Sequence, residues 1–266
     1  MPTTLQERAA ELKWYHTIQL PDGVLTAGYV DTRAAAARLP IPALDGKRCL
    51  DIGTMNGFWA FEMERRGAAE IVTIDVDDLR EIDWPARTRL LDPDGGYINP
   101  EDRHNALGAF ELARDALSSK VQRRAVNVYG LADSIEEKFD FVFVGSILLH
   151  LRDPVRALEN AREVCRGEAV IFEAIDLVGT ALSPRSPRAS LDGTRVWWWT
   201  PNLAALKRMI ESAGWEVIER TPMLFVPSGA GFRTLTLKGV LRSGPNAMVA
   251  ALKGFPHVGW RVRPVA

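Results

Sequence analysis

Arg48-Cys49-Leu50-Asp51-Ile52-Gly53-Thr54-Met55-Asn56-Gly57 is the stretch on which the reading of this chain turns. Cys49, Leu50 and Ile52 make a short apolar run that stops at a glycine, the pattern of a buried strand. Residues 58–66 then set Phe58, Phe61 and Met63 among Glu and Arg, an amphipathic helix. A strand passing through a glycine loop into a helix opens a parallel α/β sheet, and the glycines let backbone come close to a ligand.

Outward from that unit the alternation continues. Residues 70–75 (Glu-Ile-Val-Thr-Ile-Asp) read as a strand ending on an acid, and 125–129 as a weak strand. Residues 139–144 (Phe-Asp-Phe-Val-Phe-Val) and 169–173 (Ala-Val-Ile-Phe-Glu) read as strong strands, 215–218 as another and 256–264 as the last. Helices are expected at 105–118, 153–165 and 202–213. The last of these carries Leu203, Leu206, Met209 and Ile210 at helical spacing and ends at Gly214. Strands alternating with helices of this length give an α/β fold, a doubly wound parallel sheet covered on both faces.

The chain's 266 residues suit one large domain, or one domain with appendages. Its 33 Lys and Arg against 34 Asp and Glu leave a net charge of −1, which argues against coating nucleic acid by charge alone. With 47% hydrophobic and 25% charged residues, wholesale disorder is excluded. No apolar run approaches the ~20 residues of a membrane span, and residues 1–13 lack the apolar stretch of a secretory signal. A cytoplasmic location with no membrane contact is therefore expected. Cys49 and Cys165 each sit in an apolar run and read as buried packing; no metal-ligand spacing is present, so no metal is expected.

In such sheets ligands bind beyond the carboxyl ends of the strands. Asp75 closes the second strand 18 residues beyond Gly57, close to the ~20-residue offset at which an acid reaches the ribose hydroxyls of a nucleoside cofactor. The plainer alternative is that Gly57 permits helix packing and Asp75 caps a turn. Their combined spacing favours the cofactor. A nicotinamide enzyme would show G-x-G-x-x-G, with pyrophosphate on a helix N-terminus. Here the pattern is G-x-x-x-G preceded by Asp51, whose charge would repel a pyrophosphate.

Leu50-Asp51-Ile52-Gly53 followed by Gly57 resembles motif I of class I S-adenosylmethionine-dependent methyltransferases, with Met55 where the usual form has a further glycine. Residues 139–154, ending Gly145-Ser146-Ile147-Leu148-Leu149-His150-Leu151-Arg152-Asp153-Pro154, resemble the fourth-strand motif of that superfamily. Upstream stand Trp14-Tyr15-His16, Asp22-Gly23, Thr26, Gly28 and Asp31; downstream come Trp197-Trp198-Trp199-Thr200-Pro201-Asn202 and Gly214-Trp215. This ordered set resembles one branch, the tRNA wobble-uridine carboxymethyltransferase-like proteins and their actinobacterial small-molecule relatives.

The resemblance implies a Rossmann-like, seven-stranded sheet binding S-adenosylmethionine within residues 46–266. Residues 1–45 would form an N-terminal helical cover, and 78–120 and 222–254 insertions on the acceptor side. It implies a cofactor set of Asp51, Gly53, Thr54, Gly57, Asp75 and Val76. Leu131 and Ala132, beside Asp133, would enclose adenine, and Gly145 and Ser146 would lie under the methionine part. The tRNA enzymes of the branch use a carboxylated S-adenosylmethionine whose extra carboxylate is held by basic and tyrosine side chains. Here Leu149 stands at the tyrosine position, residues 19–23 supply no lysine, and His257 replaces the arginine before the last strand. A carboxylate buried without those cations costs heavily in desolvation, so ordinary S-adenosylmethionine is the expected donor.

Methyl transfer depends mostly on positioning, with a general base needed only for an acceptor that is protonated at working pH. His150, past the fourth strand, is the first choice for that base, with a backbone-bonded helix-entry role as its alternative. His16 is second, with packing as its alternative, and His104 reads as exposed. Glu173 ends the fifth strand and either contacts the acceptor or bonds a neighbouring loop. Tyr15 and the Trp197–Trp199 run are candidate acceptor walls; in an extended run Trp198 would face away from its neighbours. The expected function is methyl transfer to oxygen or nitrogen of a small-molecule acceptor, with a natural-product intermediate implied by resemblance alone. The alternatives are tRNA wobble-uridine modification and a Rossmann-like domain that binds without turnover.

Overall fold

The computed structural model describes residues 4–78, 81–91, 100–193, 197–232 and 245–265. Parts of the two expected insertions lie outside these residues. Twelve strands are described: β1 Trp14–His16, β2 Gly28–Val30, β3 Arg48–Ile52, β4 Glu70–Asp75, β5 Gln122–Ala125, β6 Phe139–Gly145, β7 Cys165–Ala174, β8 Ala189–Leu191, β9 Trp199–Pro201, β10 Trp215–Arg220, β11 Leu224–Val226 and β12 Phe255–Pro264.

The main sheet runs β10-β12-β7-β6-β3-β4-β5, with the short β11 also paired to β12. β5, β4, β3, β6 and β7 are mutually parallel. β12 joins β7 antiparallel, and β10 and β11 follow one another along its far side. Strand β3 is the hinge of the topology. From it the chain winds outward to β4 and β5, then crosses back to β6 and β7. The order reverses between β3 and β6, and a crevice forms at the carboxyl ends of these strands.

Each central strand divides its side chains between two cores. Cys49, Phe141, Phe143, Val170 and Phe172 point to one face, where they meet Phe58 and Trp59 of the helix Phe58–Arg65 and Phe110 of the helix Pro100–Ala116. Leu50, Val142, Val144 and Ile171 point to the other, against Leu158 of the helix Pro154–Glu163 and Leu206 and Ile210 of the helix Leu203–Ser212. This two-sided burial explains the near-continuous apolar strands. Burying each of Phe141, Phe143 and Phe172 contributes about 1.5–3 kcal/mol. Cys49 and Cys165 are free and buried in these layers, and burial pushes their thiols up to about 12 and about 11.

The N-terminal segment contains the helices Leu5–Ala10 and Arg33–Ala36, and also the parallel pair β1–β2. Trp14, Ile18, Leu20 and Leu39 pack into the first core, and the Trp14 indole N–H donates to the Ala9 carbonyl at 2.8 Å. One expected strand is displaced. The sequence of 125–129 reads as extended, whereas β5 ends at Ala125 and Val128–Gly130 form a 3₁₀ turn. β5 is an edge strand, paired only with β4 among the described residues. Its Arg123 and Arg124 face Asp77 and Glu137, so its own residues carry no apolar signal, and the apolar Val126 and Val128 belong to its exit. His104 falls within the helix Pro100–Ala116.

Candidate active site

The loop after β3 is built by backbone conformations that few residues adopt. Gly53 has φ 78°, and a Cβ there would stand 2.7 Å from Ile147 Cδ1. Met55, at the position where the superfamily form has glycine, takes the left-handed conformation too, with φ 47°. That geometry costs a side-chain-bearing residue about 1–2 kcal/mol. The loop is held in place by Asp75, whose Oδ2 accepts the Met55 N–H at 2.8 Å while Oδ1 accepts that of Val76 at 2.8 Å. Burial raises the Asp75 carboxyl, and these two N–H groups and Arg123 oppose the rise.

A cavity of about 250 Å³ crosses this rim from the end of β5 to the end of β6. On the β5 side its wall is Val126, Asn127, Val128 and Tyr129. Glu81, Ile82 and Asp83 lie over it. Asp83 fastens this strap: its Oδ2 accepts the Tyr129 hydroxyl at 2.5 Å and the Arg152 N–H at 2.9 Å. Its carbonyl accepts the Trp198 indole N–H at 2.5 Å. Burial and the bond to Asp83 both push the Tyr129 phenol upward.

On the β6 side stand Gly145, Ser146, Ile147, His150 and Leu151. The tight turn Leu148–His150 that carries His150 is anchored from beneath by Glu173, which is 1% exposed. The Glu173 carboxylate accepts the Leu148 N–H at 2.8 Å, and the nearby backbone N–H groups of Ile147, Ala174 and Leu149 also favour its charged form. Burial pushes its carboxyl up to about 8 against those bonds. Tyr15 and His16 of β1 complete the lining. The Tyr15 N–H donates to Asn56 Oδ1 at 2.5 Å, and burial, with the Glu173 charge, pushes the phenol up to about 12. His16 stacks on Phe58, its Nδ1 is buried without a protein partner, and burial pushes its imidazole down to about 3.

Of the cofactor residues expected from sequence, Gly53, Asp75, Val76, Gly145 and Ser146 line the cavity. Asp51, Thr54 and Gly57 lie behind it. Asp51 is buried beside Thr73, whose hydroxyl is 3.4 Å from Oδ2, and burial pushes its carboxyl up to about 7. Gly57 starts the helix Phe58–Arg65 with φ 89°. Leu131 and Ala132 are off the lining. Leu131 is fully buried in the second core at the start of a short helix, Leu131–Ser134, and residues 126–129 stand where these two were expected.

His150, His16 and Tyr15 line the cavity; Glu173 does not, because its carboxylate is consumed by the turn. Trp197, Trp198 and Trp199 are also off the lining. Trp197 is 45% exposed, while the Trp198 N–H donates to the Leu149 carbonyl and the Trp199 indole to that of Arg152. The run buttresses the turn and strap from outside. The strap 81–83 falls within the insertion expected at 78–120, though none of its residues is singled out by sequence, and the 126–129 wall stands where a strand is expected. Asn127, two residues past β5, follows once the strand end is placed correctly.

The methyltransferase domain family matches residues 27–220, and the chain belongs to this family of class I S-adenosylmethionine-dependent methyltransferases. Among curated relatives it is 28% identical over 174 residues to a tRNA U34 carboxymethyltransferase of Ectopseudomonas mendocina, covering 65% of this chain and 46% of that one. It is 30% identical over 181 residues to the enzyme of that name from Stutzerimonas stutzeri, covering 65% and 47%. The chain thus spans about half the length of the curated relatives it matches. Among solved structures, the N-terminal domain of EvdMO1, crystallised with S-adenosylhomocysteine and D-fucose, is similar with a TM-score of 0.58 and 18% identity, covering 98% of this chain and 95% of that one. The 1,6-didemethyltoxoflavin N1-methyltransferase of Burkholderia thailandensis is similar with a TM-score of 0.51 and 15% identity, covering 88% and 78%. At these identities the structures establish the shared fold.

The cavity fits the cofactor, S-adenosylmethionine. It offers a carboxylate at the end of β4 with lone pairs left for a diol, an apolar slot from Ile74, Val126 and Val128, and close backbone at Gly53.

Proposed function

We propose that this chain transfers a methyl group from ordinary S-adenosylmethionine to an oxygen or nitrogen of a small-molecule acceptor. The observation that carries this reading is the charge of the lining. Asp75, Glu81 and Asp83 border the cavity, and no Lys or Arg does so among the described residues. A carboxylated donor would place a further anion beside three carboxylates with no cation to offset it. A polyanionic acceptor would meet the same field at the mouth.

The cofactor, when bound, supplies a methyl group on a positively charged sulfur. Asp75 holds the ribose diol and, through Met55, the loop beneath. Gly53 lets backbone approach, and residues 126–129 with Ile74 enclose the adenine. His150, presented by the Glu173-anchored turn, orients the acceptor and removes its proton when the acceptor is a hydroxyl. The strap 81–83 keeps water from that side of the cavity, where exclusion of solvent strengthens each polar contact. A biosynthetic intermediate suits a cavity of this size and polarity, and no helix among the described residues is long and apolar enough to cross a membrane.

Transfer to tRNA is the second reading, favoured by the names of the curated relatives. Competition between S-adenosylmethionine and its carboxylated relative for the purified protein decides between the donors. Ordinary S-adenosylmethionine is expected to bind more tightly, with no gel shift of tRNA. Preference for the carboxylated compound, together with retention of tRNA, would overturn the small-molecule reading.

A further inference from the structure

Ser146 and His257 stand 111 positions apart in sequence and meet at the β6 end of the cavity, Oγ to Nε2 at 3.0 Å. His257 lies on β12, 7% exposed, with its ring stacked on Phe172 at 4.9 Å between centroids. Its Nδ1 is 2.9 Å from the Phe255 carbonyl oxygen. A carbonyl only accepts, so Nδ1 carries the proton. Burial pushes the imidazole down to about 4, so the ring is neutral near pH 7 and its Nε2 is an acceptor. The proton in the Ser146–His257 bond therefore belongs to serine. A hydroxyl has one proton and two lone pairs. With that proton committed to His257, Ser146 presents only lone pairs to a ligand.

The backbone agrees with this use. Ser146 has φ 49°, and its N–H donates to the Phe172 carbonyl at 2.8 Å. Glycine would take this left-handed conformation at lower cost. What serine adds is the hydroxyl. Ser146 directly follows β6 and Asp75 ends β4, with β3 between the two strands. Two strand spacings put the strand ends roughly 10 Å apart along the rim. A single ligand whose diol lies at Asp75 can therefore present its other end at Ser146.

We propose that His257 is a positioning residue that holds the Ser146 hydroxyl as an acceptor-only seat for the α-ammonium of the cofactor. The proposal rests on the S-adenosylmethionine reading above. Such a seat favours a donor and disfavours a carboxylate oxygen, whose lone pairs would face those of Ser146. It agrees with a lining that holds carboxylates and no cation among the described residues.

The test is calorimetry with two probes: S-adenosylhomocysteine, and its analogue lacking only the α-amino group. Ser146→Ala and His257→Phe are each expected to weaken the first probe roughly tenfold or more and to leave the second unchanged. The double variant should lose no more than either single one, because the two side chains act as one unit. Ser146→Gly should show the same loss while melting no lower than wild type, which separates the seat from the fold; it carries the test alone if His257→Phe does not fold. Equal losses for both probes, or additive losses in the double variant, would overturn the proposal. If neither probe bound wild-type protein, the cofactor reading would fail and this seat with it.

Discussion

Replacing His150 with alanine is expected to lower turnover on a hydroxyl acceptor by roughly 10²–10⁴, with cofactor affinity close to wild type, the range usual for a lost general base. His150 lines the cavity beyond β6, on a turn whose Leu148 N–H is held by Glu173. That anchoring fixes the backbone that carries the imidazole. An amine acceptor that is already neutral has less need of a base, and the loss should then be far smaller. His16→Ala is the matched control. Burial pushes the His16 imidazole down to about 3, so it is a poor store for a proton, and its stacking on Phe58 makes it a packing element at the cavity. Near-normal turnover in His150→Ala on a hydroxyl acceptor would remove the base and leave positioning as the whole catalytic account.

Gly57→Val should cost the fold about 2–5 kcal/mol, combining a left-handed backbone penalty with overpacking. At φ 89° any Cβ is strained, and here it would stand 2.5 Å from Phe61 Cε2 and 2.9 Å from Phe110 Cδ2. Those rings stack at 5.7 Å and belong to two helices packed on the sheet, so neither has room to withdraw. The loss is a large part of the 5–15 kcal/mol that holds a typical domain. Denaturant unfolding reads it as a lowered midpoint. Gly57→Ala should suffer less than valine, because it adds only the Cβ. An unchanged midpoint for valine would mean that the loop is placed wrongly.

The unit at 48–66 is legible because strand, glycine loop and helix follow one another and each carries a local signal. Asp75 is legible for the same reason, by its offset from Gly57. Met55 shows the limit of that reading: its side chain departs from the superfamily pattern while its backbone keeps the glycine conformation, held by Asp75. The roof's place within 78–120 is legible, but the pairings that fasten it are not. Tyr129 meets Asp83 across 46 positions and Trp198 meets it across 115, and no periodicity records such pairs. Three adjacent tryptophans look like a binding wall, yet the indole N–H groups of Trp198 and Trp199 are used on the backbone carbonyls of Asp83 and Arg152, and none of the three lines the cavity. Glu173 looks catalytic from its place at a strand end, and only the structure reveals that its acceptors are taken.

The central claim, that S-adenosylmethionine lies across the rim with its ribose at Asp75, is tested most directly by titrating S-adenosylhomocysteine into wild-type protein and into Asp75→Ala and Asp75→Asn. Hydrogen bonds to a charged group contribute about 1.5–3 kcal/mol, so the alanine variant should bind roughly ten- to a hundredfold more weakly. Asparagine keeps an acceptor for the Met55 N–H and should fall between the two. Binding to wild type with that graded loss is the predicted result; unchanged affinity in Asp75→Ala would contradict the account.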